Sequence, residues 1–417
     1  MSGLDPAVRS ARNATGWVFG LNGLCFATWV ARLPQARRTL ELGNAELGLL
    51  LLTIAIGSMI ALPLTGALIQ RYGVRVTVRG GLAGAVVGLS AAAVAISGLL
   101  DPQAGRVLAG VGLFAFGAGS GAWDVAMNVE AAEVERRMRR TVMPRFHAGF
   151  SIGTVAGAGL GAATLALGVP VVAHVGLVLV ASVVVLVPGT AAFVPVGGPA
   201  VAGDGPPAAS VWRAWTEPRT VLIGAMVMSL ALMEGTANDW LALALVDGHG
   251  FAEASGVAGY AGFVAAMTTG RLLGPAVLDR AGRVAVLWAT LGCAALGIVL
   301  VVTQDGPVVV LGIALWGIGA SLGFPVGMSA AADDPVRAAA RVSVVSTLGY
   351  AAFLTGPPLF GALADAFGTL DALWALAILT LPAAAFVPAA APRGELSARR
   401  PGPTARRRSP GSRAGRG

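Results

Sequence analysis

Twelve apolar stretches follow one another along the 417-residue chain, with limits near 14–31, 45–69, 76–98, 104–128, 144–167, 169–191, 219–245, 256–278, 284–303, 307–331, 340–363 and 369–390. A helix needs about 20 mostly apolar residues to cross a hydrocarbon core about 30 Å thick. A soluble helical protein cannot use so many, because nearly every helix would be apolar all round and no polar face would remain for water. A β-barrel needs short segments of alternating polarity instead. Composition points the same way: 12% of residues are charged, where a soluble chain carries about 25%. The expected fold class is an all-α membrane protein with twelve transmembrane helices.

The basic residues give an orientation. All 29 are arginine. With the N-terminus taken as cytoplasmic, 24 fall in inner segments and four (Arg32, Arg37, Arg38 and Arg106) in outer ones, with Arg271 inside the eighth span. The positive-inside rule then places both termini in the cytoplasm and the protein in the plasma membrane. The stretch 391–417 is rich in Arg, Pro and Gly and reads as a solvated tail drawn to anionic lipid heads rather than to nucleic acid.

The longest polar connection, residues 192–218, divides the chain into an N-terminal half (1–191), a central cytoplasmic linker and a C-terminal half (219–390). A related loop recurs in each half: GALIQRYGVR at 66–75 and GPAVLDRAGR at 274–283. Aligning Arg71 with Arg280 also aligns Gly73 with Gly282, where glycine lets the chain turn between crowded helix ends. The arginines can cap helix C-termini, or pair with acids such as Asp279 and latch an inner gate.

These loops resemble the G-x-x-x-D-R-x-G-R signature of the major facilitator superfamily. Gln70 stands where the first copy has Asp, and Pro275 follows Gly274 in the second. Further segments, WVARLP (29–34), WDVAMNVE (123–130), RFHAGFSIG (145–153), EGTANDW (234–240) and GYAAFLTGPP (349–358), resemble the fucose-permease-like branch and its uncharacterised bacterial members. The resemblance implies two six-helix halves around a central cavity, alternating access, a small polar solute such as a sugar or related metabolite, and function as a monomer.

Ionisable groups within a span are costly and mark function by default. Asp124, Asn128 and Ser120 share one face of the fourth span, four residues apart. His147 and Arg145 enter the fifth, where an antiparallel neighbour could bring His147 towards Asp124. Asn22 adds a polar group in the first span. Glu234, Asn238 and Asp239 are expected in the outer half of the seventh, with Arg32 pairing with Glu234 or Asp239 as an outer gate that opens on protonation. Trp29 and Trp240 either stack on a sugar ring or anchor at the lipid interface. His174 and His249 read as packed or solvated.

Three dispersed His and two apolar Cys give no metal site, and without Lys there is no nucleotide-binding P-loop; no cofactor is expected. No nucleophile–base constellation argues for an enzyme. The leading expectation is a secondary transporter with a proton as coupling ion. An exporter of drugs or natural products, and a non-transporting scaffold or sensor, are the rivals.

Overall fold

The computed structural model describes residues 5–138, 142–194, 208–334 and 337–392. The helices along them are α1 (Pro6–Val30), α2 (Leu33–Thr39), α3 (Asn44–Ala95), α4 (Pro102–Met138), α5 (Met143–Ala166), α6 (Val171–Gly189), α7 (Ala208–Trp215), α8 (Pro218–His249), α9 (Glu253–Ala281), α10 (Arg283–Thr303), α11 (Pro307–Ala320), α12 (Gly323–Ala331), α13 (Ala338–Phe367) and α14 (Trp374–Phe386). Twelve segments are long and apolar enough to cross a membrane: α3 supplies two, α2 extends the first, and α11 with α12 make one. The expected twelve-span, all-α fold is present. Residues 195–207 of the expected linker, 393–417 of the expected tail, and Arg139 and Arg140 lie outside the described residues. The remainder of the linker holds the short helix α7.

Local sequence sets the ends of these helices. Proline opens α1, α4, α8 and α11, where its missing N–H costs nothing. Gly250 closes α8 in the left-handed conformation (φ 68°, ψ 24°). At 52 residues α3 is far too long for one crossing, and it folds back at Gly73 (φ 82°, ψ 162°). Gly282, between α9 and α10, has nearly the same backbone (φ 77°, ψ 162°).

The repeat extends beyond this pair. The residues with positive φ are Glu41, Gly73, Gly98 and Gly168 in the first six spans, and Gly250, Gly282, Gly306 and Gly368 in the last six. They pair in order, at offsets of 209, 209, 208 and 200 residues. Glu41 (φ 51°) is the one non-glycine among them, so the first of these correspondences is invisible to residue matching.

Spans α1–α6 form one bundle and α8–α14 the other, meeting where α3 packs on α13 and α5 on α9. The glycine stripe of α5 is a packing surface against α1: a Cβ on Gly157 would stand 2.7 Å from the Leu24 carbonyl oxygen. With an even number of crossings, both chain ends lie on one side, called here the terminal end; the other is the distal end.

Arginines pin the terminal end within each bundle. Arg75 donates to the Ala191 carbonyl (2.8 Å), and Arg79 to Thr190 Oγ1 (2.8 Å) and the Val187 carbonyl (2.6 Å), closing off the end of α6. In the second bundle Arg219 and Arg283 share Asp333 and reach the carbonyls of Ala389, Ala390 and Ala391.

Glu217, just before α8, accepts from Arg341 Nε (2.6 Å), Thr220 Oγ1 (3.0 Å) and Arg337 Nη1 (3.1 Å). The Arg341 hydrogen bond, with Thr220 and the nearby charges adding to it, holds this carboxyl below its ordinary range. A carboxyl depressed by folding stabilises the fold above its unfolded pKa, about 4.3, and loses that contribution as pH falls through the lower folded value. Glu217→Gln should therefore lower stability by about 1 kcal/mol at pH 7. The gap to wild type in thermal unfolding should stay constant down to about pH 5 and close below about pH 4. A gap that widened on acidification would contradict this assignment.

Candidate functional site

The polar groups of the spans gather at mid-depth in both bundles. In the first, Ser120 Oγ donates to Asn22 Oδ1 (3.3 Å), and Asn22 Nδ2 is buried with no hydrogen-bond partner. One turn on, Asn128 Nδ2 donates to the Asp124 carbonyl (2.9 Å) and Asp124 Oδ1 (3.4 Å). Tyr350 of α13, in the other bundle, stands within electrostatic reach of Asp124 and keeps 49% of its surface exposed in the middle of its helix. The expected approach of His147 to Asp124 or Asn128 is not made: among the described residues no hydrogen bond joins them. His147 instead lies edge-on to Phe19, ring centroids 5.3 Å apart, and faces the charge of Arg271 across the two bundles.

In the second bundle Arg271 Nη2 donates to Glu234 Oε1 at 2.8 Å and Arg271 Nε to the Ser321 carbonyl at 3.3 Å. Glu234 lies midway along α8, not in its outer half. Asn238 follows one turn later on the same face. Asp239 makes no hydrogen bond or ion pair among the described residues. Tyr260 of α9 is fully buried with its hydroxyl unpartnered, within reach of the charges of Asp239 and Glu234. Sequence reading missed both Arg271 as the partner of Glu234 and Tyr260. The one available signal was a cation inside an apolar span, which needs a counter-charge.

The expected outer gate is corrected. Arg32 does not meet Glu234 or Asp239. It turns into its own bundle, donating to His174 Nδ1 (3.1 Å), Gln35 Oε1 (2.9 Å), Thr164 Oγ1 (3.2 Å) and the Val169 carbonyl (3.2 Å). The chain breaks helix at Arg32, which places the side chain against α5 and α6 rather than across the interface.

The distal latch is built a turn later. Arg37 forms a two-pronged pair with Asp247 (both contacts 2.5 Å), while Thr369 holds the same carboxylate (2.8 Å). Arg38 pairs with Glu253. Asp365 of α13 accepts from the backbone N–H groups of Asn44 and Ala45 (2.9 Å each), placing a carboxylate on the first turn of α3 from the other bundle.

Among the described residues, every hydrogen bond between the bundles lies at this distal end. At the terminal end Arg71 is exposed and stacks over its neighbour Tyr72, 5.2 Å from the ring centre. Arg145, Asp279 and Arg280 are exposed, and their side chains hold no polar partner among the described residues. The inner-gate pairing expected of Arg71, Asp279 and Arg280 is therefore unmade in this conformation. Nor do Trp29 and Trp240 line a surface of either kind: they are 2% and 0% exposed, with both indole N–H groups unpartnered and Trp240 packed on Phe360.

The comparisons with known proteins agree with this architecture. The family model of the Major Facilitator Superfamily matches residues 16–350 and 260–414. An uncharacterised MFS-type transporter of Yersinia pestis is 35% identical over 384 residues, covering 92% of this chain and 96% of that protein. An uncharacterised transporter of Sinorhizobium fredii is 34% identical over 356 residues, covering 84% and 89%. A solved structure of a variant of the nucleoside transporter NupG superposes with a TM-score of 0.74 at 13% identity, over 91% of this chain and 99% of that one, which is a likeness of fold. The chain belongs to the major facilitator superfamily. It is a secondary transporter that moves a small solute across a membrane, and not an enzyme.

Proposed function

We propose that the protein carries a small polar solute, of the size and hydrogen-bonding character of a sugar or related metabolite, coupled to protons. The observation that carries this reading is the placement of acids at mid-depth in both bundles: Asp124 with Asn128 on one side, Glu234 with Arg271 on the other. Between them, Arg271, Asn22, Asn128 and Tyr350 offer donors, and Asp124, Glu234 and Asn238 offer acceptors. Such a set suits a polyhydroxylated solute. A carboxylate held by an arginine can also exchange its partner for a proton as solute enters or leaves.

The motif resemblance supports a place in the fucose-permease-like branch. The arginine count supports cytoplasmic termini in a plasma membrane, which makes the latched distal end the outer one. In that frame Arg37, Arg38, Asp247, Glu253 and Asp365 are the outer gate, and Gly73 and Gly282 are the turns beside Arg71 and Arg280 at the inner one. A single chain supplies both bundles, so a monomer suffices.

Proteoliposomes tested for uptake with and without a pH gradient separate this reading from a drug exporter. A sugar-like solute should move protons with it in wild type. Asp124→Asn and Glu234→Gln should each cut gradient-driven accumulation by about 100-fold, which corresponds to a loss of about 2.7 kcal/mol. Proton movement triggered instead by apolar cations would favour the exporter. Full pH dependence in both variants would remove the carrier roles given to these two acids.

A further inference from the structure

A second site lies on the outside of the second bundle, and its chemistry is unlike that of the centre. After the turn at Gly282, α9 and α10 diverge, and α11 with α12 pack behind them. The groove so formed has a volume of about 490 Å³. Leu273, Gly274 and Val277 of α9 wall it on one side, and Ala285, Ala289 and Cys293 of α10 on the other. The hydroxyls in its lining are already spent: Thr269 donates to the Ala265 carbonyl (2.9 Å), Thr290 to Leu287 (3.1 Å) and Ser321 to Ile318 (2.6 Å). Nothing in the lining asks for a polar ligand, and Leu273 and Val277 remain 60% and 46% exposed.

The mouth of the groove is charged. Arg280 lies three residues after Val277 and seven after Leu273, on the same stripe of α9. It is exposed and without a polar partner among the described residues. Its neighbour Asp279 falls on the opposite side of the helix, and Arg283 is already engaged by Asp333. From Thr269 to Arg280 the helix rises about 16 Å, close to the depth of one leaflet of a hydrocarbon core about 30 Å thick.

We infer that the groove between α9 and α10 is a binding site for an anionic phospholipid, with one acyl chain along the apolar walls and the phosphate on Arg280. Charge complementarity at the mouth, a dry wall and a depth of one leaflet select this occupant over a second helix or a polar solute.

Native Cys293 reports occupancy, because it is a free thiol partly exposed in the groove wall while Cys25 is buried. The full chain, purified in detergent and stripped of lipid, is alkylated with N-ethylmaleimide and followed by intact mass. Phosphatidylglycerol should protect Cys293 at a concentration about five-fold lower than phosphatidylcholine, the effect expected of one interfacial arginine. Arg280→Gln should bring the two lipids level, and Asp279→Asn should leave their difference in place. Equal protection by both lipids in wild type, or none by either, would overturn the inference without needing any variant. So would protection that rises with protein concentration in the absence of lipid, which would make the occupant a second copy of the chain.

Discussion

Arg271→Gln should be among the most damaging single changes in the protein. It leaves the Glu234 carboxylate, 14% exposed, without the 2.8 Å partner that compensates its removal from water. Removing one member of a buried pair costs about 3–5 kcal/mol, and the partial exposure of Arg271 brings the expected loss to about 2–4 kcal/mol. Glu234→Gln with Arg271→Gln should recover most of that stability, since two neutral amides can hydrogen-bond to each other. Transport should not return with it, because neither charge is then available to exchange for a proton or to bind solute. Thermal unfolding of the two single variants and the double variant supplies the cycle, and proteoliposome uptake supplies the second readout. A double variant that regained transport would reduce the pair to a packing device.

Breaking the distal latch should move the conformational equilibrium rather than the fold. Arg37 and Asp247 form a two-pronged ion pair, and Asp365 caps the first turn of α3 from across the interface. Charge-assisted bonds of these kinds contribute about 1.5–3 kcal/mol each when partly shielded from water. Arg37→Gln with Asp365→Asn should therefore shift the ratio of distally closed to distally open molecules by about 100-fold or more. Spin labels on Thr39→Cys and Ser255→Cys, one on each bundle at the distal end, would read this as growth of a longer distance. Thermal stability should change little, because none of these contacts lies within a bundle. An unchanged distance distribution would mean that α3 on α13 and α5 on α9 hold the closed state without the latch.

The twelve crossings could be read from the sequence because apolarity over about 20 residues is a local property that no neighbour needs to supply. The Gly73–Gly282 correspondence was equally legible, since positive φ without strain requires a residue lacking Cβ. The matching turn at Glu41 was not, because there a side chain accepts the conformation that Gly250 adopts freely. Around the centre, the i and i+4 spacing placed Asp124 beside Asn128 and Glu234 beside Asn238. It could not choose a partner for Glu234 between Arg32 and Arg271, which lie on different helices.

The arginines show the division most clearly. Sequence alone fixed the count and the strong bias, four against 24, that orients the spans. What those four do was decided in three dimensions. Arg32 ties α5 and α6 to the end of α1, Arg37 and Arg38 latch one bundle to the other, and Arg106 bridges Glu46 and the carbonyls of Leu40 and Glu41. Orientation follows from summed charge near the ends of the spans, which the chain carries wherever it goes. Pairing depends on which carboxylate lies within about 3 Å of a guanidinium, and only the packing of helices far apart in sequence brings those groups together.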